Sequence, residues 1–90
     1  MRRIREEDLK SEDKIKIIYT RNSRIMEDDE IIAEFVEKRE DRYIIRVIKI
    51  ISQDIDVNGD PYYKIGELGI IYSGDVIYLM SRNEYLLEML

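Results

Sequence analysis

Asp54-Ile55-Asp56-Val57-Asn58-Gly59 is the stretch whose residue types and spacing come nearest to a chemistry. It matches the first half of a calcium loop, in which staggered carboxylates and an amide converge on one cation. The second half does not follow. Its twelfth position, where a bidentate glutamate is required, is Ile65, and Pro61 interrupts the loop. The flanks read as strands where helices are needed. The stretch is therefore read as an Asn-Gly turn carrying solvated acids, and no metal is assigned. Acid–base and covalent chemistry have little to draw on. The chain holds no His and no Cys, hence no imidazole base and no thiolate, and its carboxylates, lysines and seven tyrosines form no pattern distinct from surface charge. Neither catalysis nor a cofactor is expected. The tyrosines could stack bases or anchor a protein partner; in a small β domain such residues are more often half-buried in a sheet.

These residues belong to a longer stretch, 42–80, that reads as three strands joined by two turns. Asn58-Gly59 suits a two-residue type I′ hairpin, in which both central residues take positive φ. That turn sets a register: Ile55 faces Tyr62, Ile51 faces Gly66, Val47 faces Ile70 and Ile45 faces Tyr72. The second turn is Ser73-Gly74 or Gly74-Asp75. With Ser73-Gly74 as the loop, Ile71 meets Val76, Ile70 meets Ile77, Gly69 meets Tyr78 and Leu68 meets Leu79. One face then carries Ile45, Val47, Ile51, Ile55, Leu68, Ile70, Ile77 and Leu79, enough for one wall of a core. The other carries Ile44, Ile48, Ile50, Ile65, Ile71, Val76 and Tyr78, interrupted by Arg46 and Glu67, so both faces need covering. Gly69 falls beneath the Tyr78 ring, and Gly66 or Gly69 equally marks a bulge beyond which the register slips by one.

The elements around this sheet are shorter. Residues 2–10 read as a brief helix with Ile4 and Leu9 as its apolar contacts. Its Arg2, Arg3 and Arg5 are followed directly by Glu6, Glu7 and Asp8, a solvated and internally paired surface. Residues 11–13 break it, residues 14–20 alternate as a strand, and residues 21–24 read as a turn. Over residues 27–40 two periods compete. As a helix, the segment has Asp28 or Asp29 for a cap and Ile31, Ile32, Phe35 and Val36 on one face. As a strand, it turns Ile31, Ala33 and Phe35 inward and makes a hairpin through Lys38-Arg39-Glu40-Asp41 into the strand that starts at Arg42; the strand is preferred. Ser81-Arg82-Asn83-Glu84 matches a capping box, so a short helix follows, apolar through Tyr85, Leu86, Leu87, Met89 and Leu90. It needs a docking surface, on this molecule or on a neighbour.

Ninety residues make a single domain near the size where burial only just outweighs chain entropy, which favours oligomers. Charged residues are 39% of the chain and Ile dominates the apolar set, a balance similar to that of proteins from hot environments. The net charge of −5 argues against a general nucleic-acid coat. From Lys64 onward only Lys64 and Arg82 are basic, so any phosphate-binding surface must come from the first half. No apolar run reaches membrane-spanning length and no signal peptide is seen at the start, so a cytoplasmic protein with no membrane partner is expected.

Residues 68–79, Leu-Gly-Ile-Ile-Tyr-Ser-Gly-Asp-Val-Ile-Tyr-Leu, resemble the second motif of Sm-like RNA-binding domains, an aliphatic strand, an Arg-Gly turn and an aliphatic strand ending in an aromatic. Residues 47–69 follow that family's order of strand, acidic loop and strand. The resemblance implies a small SH3-type barrel of five bent strands behind an N-terminal helix. It carries over no RNA-binding residue, because Ser73 stands in place of the motif's Arg and the family's Asp and Asn find no match around residues 40–44. The small toxins that cleave messenger RNA also end in similar strands, but they are basic and open with long helices. The expected fold is mainly β, a small antiparallel bent sheet or SH3/Sm-like barrel with short N- and C-terminal helices; the alternative is α+β with a helix at residues 28–39 packed on the sheet. The expected function is that of an acidic protein-interaction module, an inhibitor or adaptor acting as a homo-oligomer on a basic partner surface. The alternative is a divergent Sm-like RNA-binding protein. The expected oligomer interface draws on Ile48, Ile50, Tyr78, Tyr85, Leu86, Met89 and Leu90.

Overall fold

Strand, not helix, is the outcome of the two competing periods around residue 33. Ile31, Ala33 and Phe35 alternate into the core, and the backbone of Asp29–Arg39 pairs with a strand on either side, which a helix could not do. The computed structural model describes residues 1–19, 29–53, 58–61 and 63–90. The expected turn at residues 21–24, the Asp54 and Asp56 carboxylates, and the Ile55 and Tyr62 pairing lie outside the described residues. Within them the elements are β1 (Arg2–Arg3), a 3-10 turn (Glu6–Asp8), β2 (Lys14–Tyr19), β3 (Asp29–Arg39), β4 (Arg42–Ser52), β5 (Leu68–Ile70), β6 (Val76–Leu79) and α1 (Arg82–Glu88). The six strands form one antiparallel sheet in the order β1-β6-β2-β3-β4-β5, so the fold is mainly β as expected.

Residues 2–10 do not form the expected helix. Arg2 and Arg3 pair with Leu79 and Tyr78, and the Ile4 N–H continues the contact by donating to the Ile77 carbonyl at 3.0 Å. A helix this short with two apolar contacts gains little, whereas an extended segment satisfies the outer edge of β6. Ile4 and Leu9 still pack against the core.

The central hairpin departs from simple alternation at three places. The β3–β4 register shifts between Phe35 and Glu37, between Ile32 and Ala33, and between Glu30 and Ile31, leaving Val36, Ile48 and Ile51 as extra residues. Each bulge exchanges the faces beyond it. In β4, Ile45 and Val47 point into the core, and past Ile48 it is Ile50, opposite Ile31, that packs on it. Beyond the extra residue Val36 of β3, Lys38 meets Tyr43 of β4, and the Lys38 ammonium lies 5.2 Å from the centre of the Tyr43 ring. Bulges also increase local twist, which curls the sheet.

Two expected registers are corrected by this geometry. Ile70 lies opposite Ile44, not Val47, with Gly69 opposite Ile45 and Leu68 opposite Arg46. The turn at residues 72–75 exists, with Asp75 N–H bonded to the Tyr72 carbonyl at 3.1 Å, Tyr72 N–H bonded to the Asp75 carboxylate at 2.7 Å, and Gly74 at φ 93°. It does not make a hairpin. β5 sits on β4 at one rim, and β6 enters between β1 and β2 near the other. Gly69 accordingly faces Ile45 and Tyr63, not Tyr78. An aliphatic strand offers the same period to every aliphatic neighbour, so the pattern alone does not choose its partner.

Flat, the sheet would hold β5 and β6 roughly 19 Å apart, four strand spacings. Instead Tyr63 and Ile71, at the β5 end, share one buried cluster with Ile15, Ile17 and Ile77 from β2 and β6, together with Ile31, Ala33, Phe35, Ile45 and Val47. The sheet is rolled around this core. Of the face expected to form the core wall, Ile45, Val47 and Ile77 are buried, while Ile51 and Leu68 are exposed.

Candidate interaction surfaces

The outer side of the roll is held by charge. Lys14 bonds Glu34 at 2.6 Å, its partner in the β2–β3 register, and Lys16 bonds Glu30 at 3.0 Å. The same Lys16 reaches Glu88 of α1 at 3.2 Å, Lys49 donates to the Glu88 carbonyl, and the Lys14 ammonium lies 5.5 Å from the centre of the Tyr85 ring. Between Lys16 and Lys49 in the register stands Ile32, which is fully buried although it lies outside the main core cluster. The end of α1 therefore roofs the outer face at β2, β3 and β4. Burial opposes the charge on Lys16, but hydrogen bonds and attraction from Glu30 and Glu88 outweigh it and raise its pKa above the ordinary lysine value.

The capping box at the start of α1 is formed as expected. Ser81 accepts from the Glu84 N–H at 3.2 Å, and the Glu84 carboxylate accepts from the Ser81 N–H at 3.0 Å. Glu84 also pairs with the amino group of Met1, and these bonds hold its carboxyl down at about 2.

With Tyr85 and Glu88 turned to the sheet, the remaining apolar residues at the end of α1 and just beyond it face solvent. Leu86 is 50% exposed, Leu87 69%, Met89 42% and Leu90 96%. Leu86 and Met89 are three residues apart, as are Leu87 and Leu90, a spacing that makes neighbours of each pair at the helix end. The seven residues expected to form an interface thus separate. Leu86, Met89 and Leu90 stand together, Tyr85 turns inward, and Tyr78 is half-buried in β6 opposite Lys16. Ile50 packs on the core and Ile48 is the half-buried extra residue of a bulge. Leu87, expected as an apolar residue of this helix but not among the seven, joins the group. The signal for it was the helical spacing, since turning Tyr85 and Glu88 inward forces Leu87 outward.

A second surface is basic. Arg2, Arg3, Arg5 and Lys10 line an open cleft together with Glu6, Asp8 and Asp75. The arginines do not pair with the neighbouring acids; none of the three makes an ion pair among the described residues. No family model, curated protein or solved structure matches the chain.

Proposed function

We propose that the chain is a non-catalytic protein-interaction module that works as a homo-oligomer, its copies joined through the outward side of α1. The observation that carries this is the group Leu86, Leu87, Met89 and Leu90, four neighbouring aliphatic side chains left in solvent on a chain that is 39% charged. Scattered exposed apolar residues need no explanation, but a contiguous group rimmed by charge marks an interaction surface. One helix meeting its own copy about a two-fold axis covers such a group with identical side chains. A module of this kind acts by occupying a partner's surface, as an inhibitor or adaptor does, and the net charge of −5 favours a basic one. Comparing the mass in solution of the parent with that of Leu87→Asp tests the self-association.

A divergent Sm-like RNA-binding protein is the second reading, favoured by the arginines of the N-terminal cleft, which make no ion pair among the described residues. Glu6, Asp8 and Asp75 in the same cleft oppose phosphate. A fluorescein-labelled oligouridine at low salt separates the two readings: binding that is lost on Arg3→Ala and Arg5→Ala favours RNA, and no binding favours the protein module.

A further inference from the structure

We propose that the open rim of the sheet at β5 is a docking site for an extended acidic segment of another protein, which adds to the sheet as a further strand. This goes beyond the self-association through α1 and uses a different surface. The backbone supplies the first argument. Val47 N–H donates to the Glu67 carbonyl and Ile71 N–H donates to the Tyr43 carbonyl, both at 3.0 Å, and Gly69 lies opposite Ile45 between them. In an antiparallel ladder, alternate residues bond the neighbouring strand, so Glu67, Gly69 and Ile71 bond β4 while the N–H and C=O groups of Leu68 and Ile70 point outward. β5 is the last strand at this rim, and no strand among the described residues meets those groups.

The side chains supply the second. A cleft flanks the rim on each face of the sheet, and Leu68, Gly69 and Ile70 line both. One is walled by Ile44, Arg39, Glu40 and Arg42, the other by Tyr63, Lys64, Glu67 and Tyr72. A strand added to β5 sends alternate side chains to opposite faces, one set into each cleft; main-chain bonds then give affinity and the clefts select the sequence.

Charge supplies the third. Arg42 makes no ion pair among the described residues, Arg39 shares only the exposed Glu37 at 3.1 Å, and Arg46 reaches the Gly66 carbonyl at 2.8 Å beside β5. Arg39, Arg42 and Lys64 stand against Glu40 and Glu67 in the two clefts, and with Arg46 beside β5 the rim keeps a small net positive charge although the whole molecule is acidic; short-range contacts here favour carboxylates. The same charge disfavours a second copy of this chain. Its open rim at the far side of the sheet is β1, which would bring Arg2 and Arg3 against Arg39 and Arg42.

Anisotropy of a fluorescein-labelled octapeptide of alternating glutamate and valine, with the alternating lysine–valine octapeptide as control, tests the proposal. The glutamate peptide should bind and the lysine peptide should not. Arg42→Glu should weaken binding by about tenfold, the scale of one lost charge-assisted bond. Ile70→Pro, which removes an outward N–H that the ladder does not use, should weaken it as much. Leu68→Glu, which sets a like charge beside the same groups, keeps the test decisive if the proline variant does not fold. Equal binding of both peptides, binding of neither, or binding unchanged in Arg42→Glu and Leu68→Glu would overturn the proposal. So would a mass in solution that falls with Leu68→Glu and not with Leu87→Asp, because a second copy would then occupy the rim.

Discussion

The side-chain amide of Gln53 pairs with the backbone of Tyr63 in both directions, accepting from its N–H at 2.8 Å and donating to its carbonyl at 3.0 Å. A side chain thus does what a paired strand residue would do, and it closes the connection between β4 and β5. Tyr63 is held with its ring in the core, 9% exposed, against Gly69. The clamp fixes one wall of the cleft that Tyr63, Lys64 and Tyr72 line beside β5.

Gln53→Ala should therefore destabilise the fold by about 1–3 kcal/mol, since two main-chain groups at a buried residue lose their partners. Gln53→Glu, which keeps the acceptor and loses the donor, should fall between. Urea unfolding checks both, and an alanine variant within about 0.5 kcal/mol of the parent would show that water replaces the amide without loss.

Glu40 opens the β3–β4 turn with φ 57°, a left-handed conformation that costs an L-residue energy and costs glycine none. Glu40→Gly should stabilise the protein by about 0.5–1 kcal/mol, the strain relieved less the entropy glycine adds to the unfolded chain. Asp41→Gly, at a position without positive φ, should destabilise it. Thermal unfolding that moves both variants in the same direction would contradict the turn geometry.

The start of α1 makes stability depend on acid. Glu84 titrates near 2 in the folded protein against an ordinary 4.5, its bonds to the Met1 amino group and to Ser81 favouring the carboxylate. A depressed carboxyl contributes stability that is complete above the unfolded value and is lost as pH falls through the folded one. Between pH 4.5 and about 2 the parent should therefore lose stability more steeply than Glu84→Gln. An N-acetylated parent should lie between them. Parallel pH profiles for the parent and Glu84→Gln would show that the bonds to Glu84 do not form in solution.

How much of this was legible in the chain follows from which residues announce themselves. The strand at Ile31, Ala33 and Phe35, the turn after Arg39, and the capping box of Ser81 and Glu84 are local patterns, and each is present. The bulges at Val36, Ile48 and Ile51 are not marked by Gly or Pro; a β-branched residue gives no sign that it is the extra one. The bulge at Ile48 moved the residues after it to the opposite faces, which is why Ile50 went to the core and Ile51 to solvent. The partners of β5 and β6 were hidden for another reason, because a turn at Gly74 looks the same whether it closes a hairpin or carries the chain across a rolled sheet. Gly69→Val then tests a different contact from the expected one: the new side chain meets Ile45 at 3.8 Å and Tyr63 at 4.0 Å, ordinary contact distances for its first atom. Of the residues expected at an interface, the exposure of Leu86, Met89 and Leu90 follows a helical spacing within nine residues, and the placement of Ile48 and Ile50 on the strands depended on bulges.

The central claim is that copies of this chain meet through Leu86, Leu87, Met89 and Leu90, and light scattering coupled to size exclusion tests it most directly. At concentrations on the order of tens of micromolar the parent should show the mass of at least two chains, well above any weak encounter. Leu87→Asp, on a side chain 69% exposed, should run as a single folded chain, because the helix stays pinned through Lys16 and Glu88, with a thermal midpoint lower than the parent's by the stability that association adds. A single-chain mass for the parent at that concentration would contradict the account.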